Sequence, residues 1–259
     1  MDRLGVARRA LSLLDLTNLD DDCTEAAIDV LLGNSQGPWG HVAAVCVWPD
    51  FVAKCHHALK GTDVRVATVV NFPSGRDRAH AVGVLTERAL SDGADEIDVV
   101  LPHEAFAAGH HRRVTDVLDA VHAAAGSASA SRARPALMKV ILETGALHDT
   151  EIIRRAAELA VAHGADFVKT STGKIPVSAT PAAAEVMLEV IHGADRPVGI
   201  KPSGGIRTID DAAVYLDIAD RVMGTGWAAP GTFRFGASGL RDALLAELDG
   251  SAHTEHEGY

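Results

Sequence analysis

Short runs of β-branched and other apolar residues alternate along this chain with longer Ala- and Leu-rich stretches whose apolar residues recur at helical spacing. The runs fall at His41–Trp48, Val64–Asn71, Glu96–Leu101, Leu137–Glu143, Phe167–Thr172, Val198–Ser203 and Arg221–Gly224, with an eighth near Thr232–Phe235. Between them lie helical segments such as Arg78–Leu90, Val114–Ala125, Asp149–Val161, Pro181–Ile191 and Asp210–Leu216, closed by Ser238–Leu248. Several runs are almost continuously apolar, as expected of parallel strands covered by helices. Eight such units in 259 residues predict an α/β chain folded as one (β/α)8 TIM barrel spanning residues 1–259.

Ala7–Leu14 and Thr24–Leu32 read as extra N-terminal helices, which makes residues 1–36 a helical extension that plugs the barrel bottom. The stretch around Leu11–Leu14 reads as part of an amphipathic helix rather than a targeting signal. Gly-Ala-Asp recurs at Gly93, Gly164 and Gly193, each time between a helix and a strand; the glycine suits a left-handed C-cap and the Asp a tight turn. Gly126–Pro135 lacks apolar periodicity and reads as an exposed loop, and residues 249–259 as a flexible polar tail.

Thirty-five acidic side chains against 24 Lys and Arg give a net charge of -11, a field that repels nucleic acid and anionic lipid. A phosphate ester could then be held only by a local pocket of backbone N–H groups and one or two cations. Three cysteines without C-x-x-C spacing indicate neither a disulfide framework nor a zinc ribbon, which suits a cytoplasmic location. The adjacent pairs His56-His57 and His110-His111 do not form a chelating face, so no metal and no cofactor are expected. No run of about 18 apolar residues is present, and no membrane partner is expected.

Charged residues inside buried strands need a reason. Asp98, Lys169 and Lys201 stand within or at the ends of strand segments, and Lys139 and Glu143 are spaced to share one strand face. They could be ion pairs that merely fill a barrel. Two lysines on sequential strands point further, because like charges about 5 Å apart at an effective dielectric near 20 repel by roughly 3 kcal/mol. That repulsion, with desolvation, favours a neutral amine able to form an imine with a carbonyl substrate. Asp98 is then a candidate proton shuttle.

A second constellation comprises Thr172-Gly173-Lys174, Ser203-Gly204-Gly205-Ile206-Arg207 and Gly236-Ala237-Ser238-Gly239, each following a strand. Such loops can bring backbone N–H groups to an anion, and the last one enters a helix. Taken singly, each is an ordinary tight turn; three on one barrel rim make a candidate phosphate site. A non-catalytic phosphosugar-binding barrel would keep the same loops, and other imine-forming barrels would keep a strand lysine and a carboxylate.

Asp15-Leu16-Thr17, Ala43–Cys46, Gly93–Val100, Lys139–Gly145, Phe167–Lys174, Lys201–Arg207 and Arg234–Ser238 together resemble the deoxyribose-phosphate aldolase family, from about Leu11 to the C-terminal tyrosine. The resemblance implies a metal-independent, lysine-dependent lyase that reversibly cleaves 2-deoxy-D-ribose 5-phosphate to D-glyceraldehyde 3-phosphate and acetaldehyde. It implies Lys169 as the imine-forming residue, Lys201 as the second lysine and Asp98 as the acid/base aspartate. Gly173, Lys174, Gly204, Gly205, Arg207, Gly236 and Ser238 match the phosphate loops, with Asp15, Thr17, Cys46, Lys139, Thr170 and Tyr259 as accessory residues. Gly239 departs from the family's frequent second serine, removing one hydroxyl donor while keeping its N–H, and Asn18 stands where some relatives carry Thr. Cys46 reads as a small buried hydrophobe rather than a catalytic thiol. The implied partners are small phosphosugars and aldehydes, with a homodimer as the default assembly.

Overall fold

The computed structural model describes residues 2–130, 132 and 134–250. Its eight parallel strands are β1 (Leu14–Asn18), β2 (Ala44–Val47), β3 (Arg65–Val70), β4 (Glu96–Val100), β5 (Leu137–Ile141), β6 (Phe167–Lys169), β7 (Gly199–Lys201) and β8 (Phe235–Ala237). The order runs from β1 to β7 in sequence, with β8 on the other side of β1. Bridges from Ile200 to Phe233 and from Ser203 to Gly236 bring β7 and β8 together. The Arg234 and Gly236 N–H groups donate across that seam to the Ile200 and Pro202 carbonyls, each at 2.9 Å, so the sheet closes into a (β/α)8 barrel.

The helices are α1 (Arg3–Ser12), α2 (Glu25–Gly33), α3 (Val52–Ala58), α4 (Ala79–Ser91), α5 (His103–Ala107) and α6 (His111–Ser129). They continue with α7 (Thr144–Leu147), α8 (Thr150–Ala162), α9 (Pro181–His192), α10 (Ile209–Met223) and α11 (Leu240–Leu248). Alternation divides the strands: Val45, Val47, Val66, Ile97, Val99, Val140, Val168 and Ile200 join the large core that also contains the buried helix faces. Ala44, Cys46, Ala67 and Val69 form a separate, smaller apolar patch with Leu19 on the other face of β2 and β3.

Residues 1–36 are not a helical extension. Leu14–Asn18 is the barrel's first strand, paired with both β8 and β2, and α2 is the crossover that follows it. In Leu14-Asp15-Leu16-Thr17 the polar residues fall at alternate positions, a strand signal obscured by the apolar run of α1 immediately before it. Among the described residues α1 alone precedes the barrel, and it packs on α10 and α11 rather than simply plugging the bottom. Arg9 and Asp220 pair there at 2.6 Å.

Arg221–Gly224 is likewise not a strand. Arg221, Val222 and Met223 complete α10, whose N-terminus is fixed by a reciprocal capping box between Thr208 and Asp211. Gly224, at φ 94°, ends it. Helix α6 extends through Ser129, so the first part of the expected 126–135 loop is helical; the Ser129 hydroxyl accepts from the Ala136 N–H at 2.9 Å. Gly93 and Gly164 do adopt left-handed φ values of 106° and 88°, whereas Gly193 remains right-handed at -85°. The associated Asp95 and Asp166 carboxylates accept from Val66 and Met138 N–H at 2.9 and 2.8 Å, pinning the entrances of β3 and β5.

At Gly199 a Cβ would lie 2.3 Å from the Phe167 ring. Glycine there lets Phe167 occupy the barrel beneath Arg234, whose guanidinium carbon sits 5.6 Å from the ring centre. Gly199→Ala is expected to destabilise the protein by about 1–3 kcal/mol through overpacking, measurable as a shifted urea midpoint with unchanged m-value.

Candidate active site

The period of two carries charged side chains from five strands into one buried cluster. Asp98 on β4 is its centre: Oδ1 accepts from Lys139 Nζ at 2.7 Å, while Oδ2 accepts from Lys169 and Lys201, each at 2.8 Å. Lys201 also meets Asp15 Oδ2 at 2.6 Å, and Lys139 meets Glu96 at 2.6 Å. Arg234, just before β8, joins Asp15 at 2.6 Å to Glu96 at 2.8 Å. All seven groups are buried, with Lys169 the most accessible at 3%.

The cluster therefore contains four cationic residues, Lys139, Lys169, Lys201 and Arg234, and three carboxylates, Asp15, Glu96 and Asp98. Fully ionised, its inner groups carry one excess positive charge, and loss of one proton balances them. Burial lowers the Lys169 pKa, and repulsion by Lys201 adds to this despite the opposing pull of Asp98. Burial also opposes the charges on Lys201 and Lys139, but their carboxylate partners outweigh it and raise both pKa values. Burial disfavours the Asp98 carboxylate, yet the three lysines hold its pKa well below the usual range. Lys169 is thus the cluster's readiest proton donor, while the other groups remain ionised.

The accessory residues and Glu143 surround this cluster with contacts of their own. Lys139 and Glu143 do not share a strand face: β5 ends at Ile141, and Glu143 turns away in a left-handed conformation at φ 57°. Its buried carboxylate accepts the Thr172 N–H at 3.2 Å and the Thr172 hydroxyl. Thr170 accepts from the Ser203 N–H at 2.9 Å, tying the ends of β6 and β7 together. Thr17 lies beside Cys46 in register and donates to the Asp15 carbonyl at 2.8 Å. Cys46 is fully buried, and burial raises its thiol pKa, consistent with a small packing group. Tyr259 lies outside the described residues.

At the C-terminal ends of the strands a cleft of about 510 Å³ opens above this cluster. Lys169 is the cluster lysine that lines it. Gly173, Lys174, Gly204, Gly205, Arg207, Gly236 and Ser238 all line the same cleft, with Thr172, Ser203 and Gly239 among them. Among the described residues, the N–H groups of Gly173, Gly205, Ile206, Ser238 and Gly239 have no hydrogen-bond acceptor. The last two precede α11, adding the positive end of its dipole. By contrast, Arg207 and Thr208 N–H groups are already taken by Asp211, at 3.0 and 2.9 Å. Gly236 must lack a side chain because a Cβ would lie 2.1 Å from Ser203 Oγ and 3.0 Å from Lys201 Cε.

Sequence reasoning brought Asp98, Lys169 and Lys201 together and placed Thr172 and Ser203 in the anion loops, but did not select Glu96 or Arg234 as site residues. Both had a usable signal: Glu96 is two residues from Asp98, and Arg234 two from Gly236, hence on the same inward faces. Among the described residues no group of three His, Cys, Asp or Glu side chains converges as metal ligands, and no helix is long and apolar enough to cross a membrane.

A deoxyribose-phosphate aldolase from Agrobacterium fabrum is 50% identical over 245 residues, covering 94% of this chain and 92% of its own. A crystal structure from Coccidioides immitis assigned to the same enzymes superposes with a TM-score of 0.81 at 30% identity, over 93% of this chain and 87% of that one. The deoxyribose phosphate aldolase of Aeropyrum pernix, described as a tetramer, superposes with a TM-score of 0.77 at 25% identity, over 95% and 94% of the two chains. Residues 6–246 match the model of the DeoC/LacD family aldolases. With this coverage, and with a buried lysine cluster beneath a glycine-rich cleft, the chain belongs to the DeoC/LacD aldolase family.

Proposed function

We propose that this aldolase reversibly cleaves 2-deoxy-D-ribose 5-phosphate to D-glyceraldehyde 3-phosphate and acetaldehyde through an imine on Lys169. The observation that carries the assignment is Lys169 itself: a buried lysine whose pKa is lowered and which lines a cleft rimmed by unengaged backbone N–H groups. The neutral amine attacks C1 of the open-chain sugar, and Asp98, within 2.8 Å of both Lys169 and Lys201, is placed to move protons as the carbinolamine loses water. The iminium accepts the electron pair of the C2–C3 bond as the C3 hydroxyl proton is removed. Triose phosphate leaves, and the remaining enamine is protonated at carbon and hydrolysed to acetaldehyde and free lysine.

Lys201, kept positive between Asp15 and Asp98, holds Lys169 toward its neutral form and helps polarise the carbinolamine oxygen. Gly173, Gly204, Gly205, Gly236 and Ser238, with Lys174 and Arg207, receive the phosphoryl group on the facing loops. Asp15 and Lys139 position the cluster, while Thr170 ties two of its strands. We also propose a cytoplasmic setting, in keeping with three cysteines that show no disulfide framework, and a homodimer as the default assembly.

Borohydride reduction in the presence of acetaldehyde, followed by peptide mapping, tests the assignment. An ethyl adduct is expected on Lys169 and absent from Lys169→Leu. No adduct on folded protein overturns the aldolase reading, and an adduct confined to Lys201 exchanges the two lysines' roles.

A further inference from the structure

The segment after β1 contributes Leu19 and Asp20 to the cleft lining and continues into Asp21 and Asp22. Its backbone is held in place. The Asp20 N–H donates to Asn18 Oδ1 at 3.2 Å, and the Asp20 carbonyl accepts from Cys23 N–H at 3.1 Å and Trp48 Nε1 at 3.0 Å. Trp48 packs edge-on against Phe72 with ring centres 5.5 Å apart. From this anchored segment Asp21 Oδ1 reaches Lys174 Nζ at 2.8 Å, joining walls of the cleft that are 153 residues apart in sequence.

The two cations on the rim are consequently unequal. Lys174 is occupied by a carboxylate, whereas Arg207 has no side-chain ion pair among the described residues. A phosphoryl group entering the glycine loops meets one available cation, one already engaged by Asp21, and a wall that includes Asp20. We propose that Asp21 is a specificity-determining residue, setting the preference between phosphorylated and unphosphorylated substrates by competing with the phosphoryl group for Lys174. The inference rests on the reading that the cleft receives a sugar phosphate. Asp21 is 89% exposed and Lys174 29%, so exchanging one partner for the other is a modest, reversible step rather than disruption of a buried pair.

Titration of the full-length protein with inorganic phosphate tests the competition directly by calorimetry, without requiring turnover. Asp21→Asn is expected to tighten phosphate binding by about two- to five-fold, the range of an exposed ion pair. It should lower the ratio of KM for deoxyribose 5-phosphate to KM for deoxyribose by a similar factor. In a Lys174→Met background both gains should vanish. Asp22→Asn makes the same change in net charge without touching the pair, and should give less than half the gain. No tightening by Asp21→Asn, a gain that survives Lys174→Met, or an equal gain from Asp22→Asn overturns the proposal. Absence of the acetaldehyde adduct on the wild-type protein sinks the aldolase reading instead, while the phosphate titration still decides the role of Asp21.

Discussion

Lys201→Leu is expected to reduce kcat/KM for deoxyribose 5-phosphate by about 10²–10⁴-fold near neutral pH, the usual contribution of a positioned acid–base group. Two losses combine. The cation that helps keep Lys169 neutral disappears, and Asp98 Oδ2, previously shared by two lysine nitrogens at 2.8 Å each, is left to Lys169 alone. Both changes favour protonated Lys169. The acid limb of the pH profile should therefore move to higher pH, and raising the pH should recover part of the rate. A uniform loss at every pH, with the limb unmoved, would show that Lys201 does not control the Lys169 proton. Acetaldehyde trapping at two pH values provides the same readout without turnover.

Arg234→Leu should instead be a stability lesion, costing about 3–5 kcal/mol because it leaves buried carboxylates without their shared partner. For a chain of this size, that corresponds to a Tm decrease of roughly 6–20 °C. The pH dependence has a definite sign. Burial disfavours the charged forms of Asp15 and Glu96, but Lys201, Arg234 and Lys139 outweigh it and hold their folded pKa values below the ordinary range. Their contribution to stability is present above that ordinary range and is lost as pH falls through the folded values. Without Arg234 those folded values rise, so acid unfolding should begin at a higher pH than in the wild-type protein. Urea midpoints between pH 3 and pH 7 would reveal a parallel curve if Arg234 did not set this behaviour.

The barrel was legible because strands buried on both sides produce continuous apolar runs and their crossover helices produce a contrasting period. The exceptions have the same physical origin. β1 escaped notice because its alternating pattern, with polar Asp15 and Thr17, merges with the apolar run that ends α1, and β8 was shifted because Arg234 and Gly236 interrupt its approach. β4, β6 and β7 also carry charged residues into the interior, but enough apolar residues flank Asp98, Lys169 and Lys201 for those strands to be read. Arg221–Gly224 shows the opposite error: its two apolar residues, Val222 and Met223, are half-buried in the last turn of α10 rather than paired in a sheet.

The site divided along similar lines. Lysines in strands announce themselves, and glycine clusters after strands mark loops able to approach an anion. Contacts between distant segments, such as Glu143 with Thr172, depend on how β5 terminates, and no local spacing specifies that turn.

The separation between the buried cluster and the open rim also makes the two tasks differently susceptible to the surrounding solution. Ions in solution screen Lys174, Arg207 and the carboxylates opposite them, but have little access to the Lys169–Asp98–Lys201 array. Molecular recognition is therefore tunable at the surface by ionic atmosphere and single-charge replacements, while the reactivity of the amine is insulated within the barrel. New substrate preferences could accordingly arise at the mouth without rebuilding the electrostatic balance beneath it.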